Sequence, residues 1–366
     1  MPLKTVYKGK RILVTGHTGF KGSWLCLWLR ELGAEVYGMA LEPATDQDNF
    51  VITGLKNLLH HHICNINEQE QVLALFKRIQ PQMVFHLAAQ ALVKKSYDDP
   101  VNTFETNLGG TVHILEAIRQ TAAVQTAVMI TSDKCYKNVE WEYGYRETDE
   151  LGGLDPYGAS KACAEMAIQA YRHSFFSASG SAEPPAVAST RAGNVIGGGD
   201  WSEKRIVPDI MRALIARKPV ELRQPQATRP WQFVLEPLSG YLWLGAKMLT
   251  DHTLTCSWNF GPEPAAIVPV NTLTQKIIAA WGSGSIKALS PLSDFHEASL
   301  LSLDIAKARQ KLRWRPTLTL DETIDFTVQW YKKFAEQGPE PMYECACQQI
   351  SDYTRIAKKR GLVWVL

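Results

Sequence analysis

An aliphatic run that stops at a threonine and gives way to three evenly spaced glycines constrains this chain more than any other feature. Ile12-Leu13-Val14-Thr15 leads straight into Gly16-His17-Thr18-Gly19-Phe20-Lys21-Gly22. The run predicts a strand over 11–15, and the amphipathic stretch beyond it predicts a helix over 23–32. A turn without Cβ atoms between strand and helix lets backbone N–H groups approach a pyrophosphate, which then sits against the positive end of the helix dipole. Such a turn alone occurs in many α/β proteins, and its place directly after the first strand is what gives it weight. The same alternation continues. Strands are expected at 34–41, 62–66, 83–88, 127–132 and 186–191, with helices near 68–79, 102–120 and 156–176. That order predicts a Rossmann-type, doubly wound parallel sheet in an α/β fold.

A sheet of that size is complete by about residue 190, yet the chain has 366 residues. Past Arg191 the texture turns to glycines, prolines and tryptophans with shorter elements, as suits a smaller lobe over the strand ends. Helical stretches at 233–249 and 304–312 return the chain to the first lobe. The expected division is a dinucleotide-binding domain over 1–190, joined by about 232–256 and 303–328. A partly discontinuous substrate domain takes 191–231, 257–302 and 329–366. Residues 177–185, rich in Ser, Ala and Pro, read as a surface loop.

With 39 Lys+Arg against 37 Asp+Glu, the net charge of +2 provides no large basic field, which argues against nucleic acid and for a small-molecule ligand. Seven cysteines lack any Cys-x-x-Cys pair, so neither a disulfide scaffold nor a zinc ribbon is expected. No apolar run approaches a membrane span, and residues 1–10 lead directly into a strand rather than a secretion signal. A soluble, cytoplasmic chain with reduced thiols follows. His60-His61-His62 suggests a metal at first sight, but consecutive residues diverge and no carboxylate or thiolate cluster accompanies them, so none is expected.

Asp155-Pro156-Tyr157-Gly158-Ala159-Ser160-Lys161 opens a helix, with Asp155 as N-cap and Pro156 in the first turn. Tyr157 and Lys161, four apart, share a face. There an ammonium can draw a phenol with a pKa of about 10 toward neutrality, so that it can take a proton from a hydroxyl as hydride leaves the same carbon.

The spacing Gly-x-x-Gly-x-x-Gly, together with Tyr-x-x-x-Lys, resembles the extended branch of the short-chain dehydrogenase/reductase superfamily. The resemblance implies that residues 16–22 hold the cofactor, namely Gly16, His17, Thr18, Gly19, Phe20, Lys21 and Gly22. Asn65 and Ile66 would lie beside the adenine, and Leu87, Ala88, Ala89 and Gln90 would let the cofactor cross the strand ends. Asn107 matches a recurrent helix asparagine, and Tyr157 and Lys161 also touch the cofactor. The second strand ends Met39-Ala40-Leu41, without the acid that usually receives the ribose hydroxyls, and without an Arg or Lys for a 2′-phosphate; the cofactor expected is therefore NAD.

Ser132 matches the superfamily residue that hydrogen-bonds the reacting oxygen, and Asp133-Lys134 follows where sugar dehydratases have Asp-Glu. An acid and a base at this point exceed what hydride exchange requires. The pair resembles the CDP-glucose 4,6-dehydratase branch, as do 86–90, Ser96-Tyr97, 191–201, 229–232 and 234–237. The segments 303–308 and 312–316 resemble a signature shared more widely by nucleotide-sugar enzymes. The branch implies catalysis by Ser132, Asp133, Lys134, Tyr157 and Lys161, with Lys134 either the C5 base or a positioning group. It implies substrate contacts at Gln90, Asn194, Trp201, Arg205 and Arg229, a CDP-glucose substrate, and a homodimer or homotetramer. The reaction would serve deoxysugar synthesis for surface polysaccharide such as O-antigen. A nucleotide-sugar 4-epimerase is the nearest rival and an NAD-sensing scaffold the non-enzymatic one.

Overall fold

The computed structural model describes residues 2–177, 184–288 and 300–365. Seven strands form one sheet: β1 (Arg11–Thr15), β2 (Glu35–Ala40), β3 (His60–Ile63), β4 (Met83–His86), β5 (Thr126–Ile130), β6 (Ala186–Arg191) and β7 (Ser257–Asn259), in the order β7-β6-β5-β4-β1-β2-β3 with every neighbour parallel. Strands buried on both faces read as near-continuous apolar runs, and β4, β5 and β6 are buried at every position. The order reverses between β1 and β4, which opens a crevice beyond their carboxyl ends.

Helices cover both faces. On one lie α1 (Phe20–Glu31) and α5 (Leu235–Met248), with α6 (Leu320–Gln337) and α7 (Met342–Lys359) continuing their apolar core; on the other lie α2 (Gln69–Ile79), α3 (Gly110–Arg119) and α4 (Pro156–Ser174). Above the strand ends, three two-stranded ribbons pair Val195–Ile196 with Gln232–Phe233, Thr228–Pro230 with Ile267–Pro269, and Val220–Leu222 with Ile286–Ala288.

Four local expectations change. Residues 3–7 form a short helix before β1, held by Leu3, Val6 and Tyr7 in the core and by the Tyr7 hydroxyl donating to Leu242 O. The third strand begins at His60, within the histidine run. The helix expected over 102–120 is broken by a π-turn at Glu105–Gly109, where two adjacent glycines weaken the α-pattern. Ser257–Asn259, expected in the substrate lobe, adds the seventh strand, because β6 offers it an open edge and Trp258 is fully buried there. Of the loop expected over 177–185, residues 178–183 lie outside the described residues.

Candidate functional site

The glycine turn is shaped by close approach. Gly16 has φ +71°, and a Cβ on it would stand 2.7 Å from Ala88 N; a Cβ on Gly22 would stand 2.1 Å from Gly16 O. Helix α1 has Gly19 as its N-cap residue and no side-chain cap. Its positive end therefore faces the crevice between β1 and β4, a cradle that fits the pyrophosphate of a dinucleotide. Thr15 Oγ1 secures the crossing by accepting from Leu87 N and Ala88 N, both at 3.1 Å. Asn107, turned inward by the π-turn, accepts from Gln90 N at 2.9 Å and donates to Gln90 O and Ser160 Oγ.

Not every residue of the turn faces that crevice. His17 is fully buried beneath it, its ring 2.6 Å (Nε2 to Nδ1) from His61 and edge-on to Phe50, and burial with the neighbouring histidines lowers its pKa to about 3. Gly38 of β2 makes room for that ring, since a Cβ there would meet it at 2.3 Å. Asn65 is half-buried and accepts from Asn67 N, while Ile66 packs over Gly110. The three histidines of β3 part company: His60 stacks on Tyr37, His61 meets His17, and His62 meets Arg78. Among the described residues no three His, Cys, Asp or Glu side chains form a metal-sized cluster.

Beyond β5 the backbone makes one tight turn, Asp133–Cys135, whose first amide partner is set by Ser132: its Oγ accepts from Lys134 N and donates to Asp133 Oδ1 at 3.1 Å. Helix α4 begins beside it, capped by Asp155 on Gly158 N. Gly158 permits the close approach, for a Cβ would lie 2.8 Å from Lys134 O. Ser132, Asp133, Lys134, Tyr157 and Lys161 thereby line one cavity of about 600 Å³ together with Phe20, Lys21, Leu87 and Ala89. One turn past Lys161, buried Glu165 accepts from Thr131 Oγ1, from Ser189 Oγ at 2.8 Å and from Arg191 Nη2 at 2.8 Å, tying α4 to the ends of β5 and β6.

The electrostatics depart from the expectation that Lys161 draws Tyr157 toward neutrality. Burial pushes the phenol up to about 12; its hydrogen bond with Ser132 and the Arg205 charge pull it down, and Asp133 and Asp155 push it further up. Lys161 itself is held at about 8, first by burial and then by the charge of Lys21. Lys21 is also held at about 8, by burial and by Arg205, with Asp133 opposing. Asp133 is buried, and its Oδ2 has no hydrogen-bond partner among the described residues.

Asn194, Arg205 and Arg229 line the same cavity. Asn194 adopts φ +49°, a left-handed conformation that asparagine tolerates better than most residues. Arg205 pairs with buried Asp200 at 3.1 Å. Two expected substrate residues do not join them. Trp201 is buried against Tyr331 and Phe334, where its large ring fills the core. The amide of Gln90 is used up on Leu92 N, Leu92 O and Thr103 Oγ1, so it braces its own loop. The cavity adds cations that sequence reasoning missed, namely Lys94, Lys95, Lys204 and Arg223, and Lys21, expected with the cofactor turn, lines it as well. No spacing marks them, whereas Glu165, also missed, stands four residues past Lys161, a spacing that could have placed it on the catalytic face.

The profile of the GDP-mannose 4,6 dehydratase family matches residues 13–327. A CDP-glucose 4,6-dehydratase of Salmonella typhimurium is 44% identical over 352 residues, which cover 96% of this chain and 98% of that protein. The structure of a dTDP-glucose 4,6-dehydratase from Bacillus anthracis in complex with NAD superposes with a TM-score of 0.73 at 21% identity, covering 90% of this chain and 98% of the other. A Thermus thermophilus UDP-glucose 4-epimerase in complex with NAD also gives 0.73, at 26% identity, over 88% of this chain and 99% of the other. With the glycine cradle, the Tyr157–Lys161 pair and this match over most of its length, the chain belongs to the GDP-mannose 4,6 dehydratase family of the extended short-chain dehydrogenase/reductase superfamily.

Proposed function

We propose that the protein is a CDP-glucose 4,6-dehydratase, converting CDP-D-glucose to CDP-4-dehydro-6-deoxy-D-glucose and water. The observation that carries the reading is the meeting of Ser132, Asp133 and Lys134 with Tyr157 and Lys161 in one cavity, in a chain 44% identical to a Salmonella enzyme of that name. The cradle at residues 16–22 would hold NAD, which when bound supplies a reversible acceptor for the hydride that leaves C4 and returns to C6. Tyr157 takes the C4 hydroxyl proton, with Ser132 hydrogen-bonded to it and Lys161 as the cation on the same helical face. The 4-ketone acidifies the C5–H bond. Lys134 removes that proton or holds the substrate against the base, and Asp133 gives a proton to the C6 oxygen as the C6–O bond breaks and water departs. Asn194, Arg205 and Arg229 receive the diphosphate by charge-assisted hydrogen bonds.

The enzyme works in the cytoplasm as a homo-oligomer and supplies deoxysugars for surface polysaccharide. Among the described residues no helix is long and apolar enough to cross a membrane. Incubation with CDP-glucose and NAD in deuterated water tests the reaction. The expected product is a 6-deoxy-4-keto sugar carrying deuterium at C5. Recovery of a 4-epimer with protium at C5 would replace dehydration by epimerisation, and a faster turnover of dTDP- or GDP-glucose would move the nucleobase assignment.

A further inference from the structure

The carboxylate of Asp133 is held between two unlike neighbours. Ser132 Oγ donates to its Oδ1 at 3.1 Å, and Oδ2 is buried without a partner among the described residues. Behind Oδ2 lies the bare Cα of Gly193, on which a Cβ would stand 1.8 Å from Oδ2 and 2.3 Å from the carboxyl carbon. No backbone need explains this glycine. Gly193 is not among the residues with positive φ; the left-handed residue is its neighbour, Asn194.

The segment carrying Gly193 has little room to retreat. Gln232 Nε2 donates to Gly193 O at 2.9 Å and to Phe260 O at 3.2 Å, and Gln232 N donates to Asn194 O. Just upstream, β6 is in register with β5 through Thr190 and Ile130, and Arg191 is paired with Glu165. A methyl group at 193 would therefore be accommodated by rotation of the Asp133 carboxylate away from Gly193 and out of its present angle, not by movement of the strand end.

We propose that Gly193 is a positioning residue, whose missing side chain sets the Asp133 carboxylate at the angle from which it protonates the departing C6 hydroxyl. The inference rests on the acid role proposed for Asp133. In the elimination, the C5 proton passes to the base, Lys134 or the group beside it, its electron pair becomes the C5–C6 π-bond, the C6–O pair leaves with oxygen, and the Asp133 proton completes the water. Hydride removal from C4 does not use this carboxylate. Displacing it slows one half of the reaction and spares the other.

Gly193→Ala, Asp133→Asn, Asp133→Ala and the double variant Gly193→Ala/Asp133→Ala test this in the full chain with added NAD. For Gly193→Ala the expected result is formation of the 6-deoxy-4-keto product slowed by ~10- to 100-fold, part of the 10²- to 10⁴-fold a general acid contributes, while C4 oxidation, read from the absorbance of reduced nicotinamide, continues. Melting temperatures read the contact without activity. Gly193→Ala lowers the melting point of the wild-type background and costs clearly less in the Asp133→Ala background, where the carboxylate is gone. Dehydration at the wild-type rate, equal loss of both half-reactions, or the same thermal cost in both backgrounds would overturn the proposal. Wild-type dehydration by Asp133→Asn would instead remove the acid assignment, with the thermal comparison still deciding whether Gly193 sets the carboxylate.

Discussion

Lys161 stands where function and stability conflict. Burial and the Lys21 charge hold it at about 8, against 10.5 for an ordinary lysine. Below about pH 8 the folded and unfolded chains both bind the proton, and the folded state bears the full cost of a buried ammonium. Between about 8 and 10.5 the folded lysine has released its proton while the unfolded one keeps it, so this contribution to stability rises with pH. Lys161→Met is therefore expected to melt above the wild type near pH 7, by up to about 3 kcal/mol, with the advantage shrinking toward pH 10 and turnover lost. Thermal melts across that range check it, and a variant melting below the wild type near neutrality would show the ammonium to be stabilising in place. The Tyr157–Lys161 pair was legible because a helix places residues four apart on one face. The inward turn of His17 was not, since that direction depends on Gly38 of a different strand.

At the scale of elements, the break at Glu105–Gly109 has a chemical use. A continuous helix would have placed Asn107 on a different azimuth; the wider π-turn aims it at Gln90 and Ser160, joining the loop after β4 to the catalytic helix. Asn107→Ala removes three buried hydrogen bonds and orphans Gln90 N, so a loss of roughly 2–4 kcal/mol is expected in denaturant unfolding. A loss below about 1 kcal/mol would mean that the π-turn holds its shape without the side chain. The sequence pattern showed the helix but not the break, because apolar periodicity reports which face is buried and is almost blind to one inserted residue. By contrast the glycine turn was readable outright: its three small residues and the strand before it are contiguous.

For the whole molecule, the C-terminal helices close the core over α1 and α5. Glu236, buried on α5, accepts from Thr317 N at 2.8 Å, Leu318 N at 2.6 Å and the Tyr353 hydroxyl at 2.8 Å, while Trp28 of α1 meets Tyr353 and Trp364 edge-on. Glu236→Ala leaves two buried amides without acceptors and is expected to cost roughly 2–4 kcal/mol. Proteolysis that begins at the C-terminal helices before the rest of the chain would mark the site of the damage; uniform resistance would place the strength of this junction in its aromatic packing instead. The alternation of strands and helices along the chain, the glycine turn, the tyrosine–lysine helix and the acid–base run after β5 were all decided locally, within a few residues of chain, by propensity, period and Cβ sterics. Which cations surround Asp133, which expected residues turn into the core, and where Ser257–Asn259 pairs were decided only by tertiary structure. Those outcomes follow from packing between segments far apart in the chain, and no local pattern encodes the distance between Gly193 and the Asp133 carboxylate.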